Sequence, residues 1–340
     1  MMRQSSRQAG KRRLPVRQLL GVTISVVCLV VVFRKIEFAQ LRTALAAMEW
    51  HFVAVGLAAL GFDYAMRILR WAVLLRAGGA HVSGLACTAP FLGSVTLNNV
   101  LPFRAGDVVR ALVFPAALGV RRVTAAASLI LERLIDMLTL LLALGVGLVF
   151  NSVTALPEWL GKTAVILAVI GGAVLLSIIL MHGPVVRLMS WARSRVPARL
   201  SPAIDLLIDI TCDLAAMSRL RVLLILLLLS ALIWGGEAGL FLSVMKGLHI
   251  DVGFPAALVV MAVATLSTLV PSSPGYVGPF HLAAYSAAIM FGAEPSQAAS
   301  FALLAHLGLW LPTTVAGSIA ILAKPALFKG RGVLASNTSI

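Results

Sequence analysis

L-N-N-V-L-P-F-R-A-G-D-V-V-R, Leu97 to Arg110, decides how the rest of the chain is read. Asn98, Asn99, Pro102, Arg104, Gly106, Asp107 and Arg110 crowd into a short stretch between strongly apolar segments. A continuous lipid-facing helix cannot carry them, because polar side chains and freed backbone groups are costly in hydrocarbon unless protein or water satisfies them. The stretch is therefore expected to break a helix and to line an enclosed or water-filled cavity. Pro102 and Gly106 end one half-helix and start another near Asp107, which leaves backbone N–H groups near Arg104 and Arg110 and suits an anion. Arginine forks bind phosphate in a two-point geometry, and Asn98 and Asn99 can donate or accept at the same rim.

The surrounding chain supplies the setting. Of 340 residues, 60% are hydrophobic and 12% charged, and apolar runs of spanning length recur throughout, which predicts an all-α polytopic integral membrane protein. A net charge of +15 would point to nucleic acid in a soluble chain, but the distribution of the charges excludes that partner here. Met1 to Arg17 is basic without an acid, and the apolar run Leu19 to Phe33 that follows has no cleavage signal, so it reads as an uncleaved first span. Further spans are expected at about Phe52 to Leu75, Val123 to Phe150, Thr163 to Met181, Val222 to Met245, Phe254 to Val270, Val277 to Phe291 and Gln297 to Leu322. The pieces Leu85 to Leu101 and Val108 to Val120 are too short to cross alone and read as a re-entrant hairpin.

That gives about eight transmembrane helices with both termini cytoplasmic. The predicted cytoplasmic segments hold 20 of the 28 Lys and Arg, against 5 in external loops, an asymmetry that supports the orientation. Three parts result: a basic cytoplasmic N-terminus (1–18), a transmembrane domain (19–323) with a cytoplasmic loop at 182–221, and a cytoplasmic tail (324–340). In the loop Asp205, Asp209 and Asp213 recur every fourth residue, the acidic and solvated face of an amphipathic helix. Cys28, Cys87 and Cys212 are scattered and six His are dispersed, so no disulfide framework, metal site or other cofactor is indicated.

Charges within the spans mark further candidates. Asp63, Arg67 and Arg70 share one helix face, as do Glu132, Arg133 and Asp136 in their own span. Asp63 and Arg133 fall at similar depth, so an ion pair between them is geometrically possible. A second break, L-V-P-S-S-P-G-Y-V-G-P-F from Leu269 to Phe280, shares with the first an apolar residue, Pro, three residues and Gly: Leu101-Pro102 to Gly106, and Val270-Pro271 to Gly275. Interrupted segments at corresponding places in two halves read as an internal repeat and point to a transporter site.

N-N-V-L-P-F-R-A-G-D-V-V-R-A (Asn98 to Ala111), E-R-L-I-D (Glu132 to Asp136) and P-S-S-P-G-Y-V-G-P-F (Pro271 to Phe280) together resemble the flippase-like family related to the transmembrane region of lysylphosphatidylglycerol synthases. The resemblance runs from about residue 16 to 323. It departs from the family at Asp107, where Glu is usual, and at His281, where an acid is usual. It implies movement of an anionic or isoprenoid-linked envelope lipid between leaflets of a bacterial plasma membrane. Full-length synthases add an aminoacyl-transfer domain; none follows Leu322, so lysyl transfer is not expected. On this reading Asn98, Asn99, Arg104, Gly106, Asp107, Arg110, Glu132, Arg133, Asp136, Pro271, Gly275, Gly278 and His281 form the substrate site. The alternatives are an integral-membrane glycosyl- or aminoacyl-transferase, disfavoured because no D-x-D occurs, and an accessory partner of a lipid-modifying enzyme, as in hopanoid pathways. An intramembrane serine protease is also disfavoured, since Ser272-Ser273 and His281 lack a G-x-S-G context.

Overall fold

The structure is a computed structural model and describes residues 16–33, 38–151, 158–270 and 272–328. The described residues form helices and connecting turns. In chain order the helices are α1 (Val16–Phe33), α2 (Phe38–Ala46), α3 (Trp50–Ala77), α4 (Gly84–Val100), α5 (Ala105–Leu112), α6 (Pro115–Leu118), α7 (Arg122–Val149), α8 (Glu158–Arg193), α9 (Ser201–Met217), α10 (Leu220–Gly247), α11 (Phe254–Ser267), α12 (Pro279–Met290) and α13 (Pro295–Ala323). Every apolar stretch read as a span is helical. Among the described residues, length and apolarity coincide in four helices rather than eight: α3, α10, α13 and the Val165–Arg193 part of α8. Helix α7 is long but carries Glu132, Arg133 and Asp136, while α11 and α12 are cut short by the second break.

Close contact between helices is built on small residues, as expected where lipid offers no hydrophobic drive for helix association. Helix α3 lies along α10, and a Cβ at Gly236 would stand 3.0 Å from the Ala59 carbonyl oxygen. Helix α4 lies along α13, α11 packs between α7 and α12, and α1 rests on α12. Helix α8 touches α7 and α9 and leaves Val165, Ile166, Val169 and Ile170 exposed, an apolar surface for lipid.

Both breaks take the same local form of helix, 3-10 turn, helix. In the first, Pro102–Arg104 separates α4 from α5; in the second, Pro274–Tyr276 lies between α11 and α12. The first folds back on itself, and its outer ends meet: Val82 and Val120 belong to one buried cluster with Trp71 and Phe91. Two interactions hold the fold-back. Asn98 Nδ2 donates to Asp107 Oδ1 at 2.9 Å while Asp107 N donates to Asn98 Oδ1 at 3.1 Å, and Gly106 presses so close to α4 that a Cβ would fall 1.9 Å from the Ser94 carbonyl oxygen.

The segment read as a cytoplasmic loop is mostly helical. Helix α8 runs past Met181 to Arg193, for 36 residues in all. The acidic stripe of α9 is not uniformly solvated. Asp205 pairs with Arg193 at the surface and Asp209 is exposed, but Asp213 is buried, accepting from Arg121 Nη2 at 2.7 Å and Thr124 Oγ1 at 2.8 Å. Arg121 is therefore a fixed partner of α9 rather than a free anchor.

Because backbone is what a Cβ at Gly106 would meet, Gly106→Ala is expected to cost about 1–3 kcal/mol by overpacking. Gly172→Ala in α8, where nothing lies within 4 Å, should be neutral or slightly stabilising. Thermal unfolding of both variants in detergent reads the difference; equal midpoints would mean that the hairpin does not depend on this contact.

Candidate functional site

The two breaks meet at a cavity of about 410 Å³, lined by Asn98, Asn99, Arg104, Asp107 and Arg110 from the first and by Gly275 and Tyr276 from the second. Glu132, Arg133 and Asp136 of α7 close one side, Arg67 of α3 and Glu237 of α10 another, and His306, Trp310 and Thr313 of α13 a third. Each wall is fixed by hydrogen bonds between helices. Asn99 Nδ2 donates to Thr313 Oγ1 at 3.1 Å and Thr314 Oγ1 at 2.9 Å; His306 Nε2 donates to the Gly275 carbonyl at 2.7 Å.

Charges in this wall are paired closely. Arg133 Nη2 donates to both oxygens of Asp107, at 2.9 and 2.7 Å, tying the hairpin to α7. Arg110 Nη2 donates to Glu132 Oε1 at 2.7 Å, with both side chains almost fully buried and the guanidinium 4.8 Å from the Phe91 ring centre. Arg70 pairs with Asp136 at 2.6 Å and donates to Ser230 Oγ at 2.7 Å. Arg67 bridges Asp63 Oδ1 at 2.7 Å and Glu237 Oε2 at 2.6 Å. Such pairs repay desolvation only with good geometry and further hydrogen bonds; here the contacts are short, but Glu132 Oε2, Asp136 Oδ1, Asp63 Oδ2, Arg110 Nε and Nη1, Arg70 Nε and Arg133 Nε are buried without a hydrogen-bond partner.

Arg104 differs. Among the described residues no carboxylate lies within salt-bridge distance of it; it donates to Thr268 Oγ1 at 3.4 Å and lies 5.5 Å from the centre of the Tyr276 ring. Its backbone is left-handed, at φ 50° and ψ 42°, a region that costs a residue with a Cβ about 1–2 kcal/mol. A family model described as the lysylphosphatidylglycerol synthase TM region matches residues 18–317, which include both breaks and the α7 acids. The chain belongs to that family. No curated protein matches it. Membership makes it a membrane-embedded, flippase-like protein, and the match to a transmembrane region accords with a transporter-like rather than catalytic role. Among the described residues no cluster of His, Cys, Asp or Glu is arranged to hold a metal ion.

The residues expected from sequence divide. Asn98, Asn99, Arg104, Asp107, Arg110, Glu132, Arg133, Asp136 and Gly275 line the cavity. Gly106 is behind it, packed on α4. Gly278, at φ 103°, is where α1 crosses, and a Cβ there would stand 2.5 Å from Ser25 Cα. His281 is buried and accepts from the Gly278 N–H at 3.4 Å through Nδ1, so it caps α12, and His306 takes the place at the cavity wall. Pro271 lies outside the described residues. The Asp63–Arg133 pair that their shared depth allows does not form: Asp63 is taken by Arg67 one turn away, and Arg133 by Asp107. Glu132 holds Arg110 through Nη2, while Arg110 Nε and Nη1 have no hydrogen-bond partner. Glu237, Tyr276, His306 and Trp310 were not anticipated. Of these Glu237 alone carried a signal, as a lone acid in a 28-residue apolar helix.

Removing one member of the Arg110–Glu132 pair strands a buried charge, so Glu132→Leu is expected to cost about 3–5 kcal/mol. Arg110→Leu with Glu132→Leu should recover more than half of that loss. Unfolding of the single and double variants in detergent measures the coupling; additive losses would show that the two charges do not depend on each other.

Proposed function

We propose that the protein moves a lipid with an anionic headgroup between leaflets, with the headgroup phosphate held in the cavity by Arg104 and the polar rim of Asn98, Asn99 and Thr268. The observation that carries this reading is the cavity-lining guanidinium without a carboxylate partner, beside arginines that are all paired. Backbone strain at Arg104 points the same way. Gly or Asn would sit in that conformation more cheaply, so the side chain is worth its conformational cost.

A second feature supports a lipid rather than a soluble anion. Next to the cavity, between α3, α4 and α13, lies a largely apolar groove of about 740 Å³, walled by Leu57, Leu60, Ile68, Leu85 and Leu92. Tyr64 and Thr313 line both spaces. A polar chamber side by side with an apolar groove fits a molecule with a charged head and a hydrocarbon tail. Asp107, Arg110, Glu132, Arg133 and Asp136 then set the shape and field of the chamber, while Gly275 lets the second break approach Trp310.

The membrane arrangement belongs to the same reading: eight crossings, with both termini cytoplasmic and the α4–α6 segment re-entrant. Single cysteines at Ala80 and Gly119, in a background free of Cys28, Cys87 and Cys212, are expected to react with an impermeant thiol reagent from the same side. Labelling from opposite sides would make the segment a full crossing.

The function is tested with the protein reconstituted in liposomes and fluorescent phosphatidylglycerol as probe. Arg104→Lys should slow inter-leaflet movement about tenfold, the equivalent of roughly 1.4 kcal/mol of headgroup interaction, because an ammonium cannot reproduce the planar fork. Arg122→Lys, at an exposed position, should be nearly silent. Arg104→Gly should unfold no earlier than the parent protein yet lose transport. Equal behaviour of the two lysine variants would overturn the headgroup role of Arg104.

A further inference from the structure

Across the wall of the cavity, the charges fail to balance at one place. Among the described residues Arg70 answers Asp136, Arg110 answers Glu132 and Arg133 answers Asp107, whereas Arg67 answers both Asp63 and Glu237. With both acids ionised this triad carries one negative charge too many. Glu237 is well provided for: Oε2 accepts from Arg67 and Oε1 from Thr265 Oγ1 at 3.0 Å. Asp63 is not. Its Oδ1 accepts from Arg67 Nε at 2.7 Å, but Oδ2 has no donor and the residue is 0% exposed.

We infer that Asp63, Arg67 and Glu237 form a proton site that holds one proton between the two carboxyls and exchanges it through the cavity. An uncompensated carboxylate sealed from water is so costly that the group neutralises instead, and two carboxylates sharing one counter-charge do not both ionise. A proton on Asp63 Oδ2 removes the excess charge and leaves Oδ1 free to accept from Arg67. The charged and titratable groups around the triad do not replace it. On α3 these are Tyr64 and Arg70, and on α7 Asp136, which Arg70 already holds. Helix α11 presents Thr265, and α13 presents Thr313 and His306, whose Nε2 is engaged with the Gly275 carbonyl. Helix α10 contributes Glu237 itself. Access is one-sided: Arg67 and Glu237 line the cavity and Asp63 lies behind them, so Glu237 is where the proton enters and leaves.

This site rests on the lipid reading for its purpose. An anionic headgroup in the cavity adds negative charge near the triad and strengthens its hold on the proton. By linkage the proton strengthens binding of the headgroup by the same factor. One proton travelling with one headgroup anion involves no bond change in the lipid and couples lipid movement to a proton gradient.

Two measurements test it. In infrared difference spectra of the purified protein, the parent should show the carbonyl stretch of a protonated buried carboxyl at neutral pH, shifting in D₂O. Asp63→Asn and Glu237→Gln should each abolish it, because either substitution leaves one carboxylate to one guanidinium. Should Asp63→Asn fail to fold, Glu237→Gln alone decides. No such band in the parent, or a band that survives both substitutions, overturns the site. In liposomes, an imposed pH gradient should change the rate of fluorescent phosphatidylglycerol movement by about fivefold or more, the lower end of ordinary coupling between two ligands. Glu237→Gln should abolish that response. A parent rate indifferent to the gradient overturns the coupling. A band that behaves as expected while no labelled lipid moves in any variant supports the proton site and removes the transport reading instead.

Discussion

The grip of Arg133 on Asp107 is the interaction on which the rest of the site depends. A hairpin with a proline, a left-handed arginine and two asparagines has no stability of its own among apolar helices, and the two-point contact with α7 anchors its turn. In a medium of low dielectric such a pair is strong only when both partners are held in place. Asn98 holds Asp107 from one side and Arg110 stands 4.0 Å from it on the other. With Asp107 committed to Arg133, the guanidinium of Arg104 at the turn lines the cavity beside Thr268 and the Tyr276 ring.

Pairing also explains how charges are distributed over the bundle. Among the described residues, five acids and the four arginines that answer them gather where α3, α5, α7 and α10 converge around the cavity, while the outward faces of α8 and α10 are apolar. Intramembrane charges face the interior for this reason, and their mutual satisfaction there fixes helix register as much as it prepares a ligand site.

Much of this was legible in the sequence. Helix positions followed from apolar runs, and the first break announced itself through Pro102, Gly106 and polar residues that no lipid-facing helix tolerates. Partner choice was not legible, because depth in the membrane says which residues share a level and not which azimuth they face. Asp63 and Arg133 share a level, but Arg67 is one turn away from Asp63 on the same helix, and proximity along the chain prevailed. The residues from α13 left no trace: His306, Trp310 and Thr313 are ordinary in an apolar helix until tertiary packing turns them toward the breaks. The same limit applied to Asp213, whose four-residue spacing from Asp209 and Asp205 suggests one solvated face although Arg121 and Thr124 bury its end.

Helix α8 is the longest of the described helices. At 36 residues it is about 54 Å long, against a hydrocarbon core of roughly 30 Å. Its last residue, Arg193, is joined to α9 through an exposed pair with Asp205. Helix α9 in turn is clamped by Asp213 to the first turn of α7, the helix that bears Glu132, Arg133 and Asp136. Two ion pairs, Arg193–Asp205 and Arg121–Asp213, thus make α9 a strut between the end of the longest described helix and the helix that walls the polar chamber.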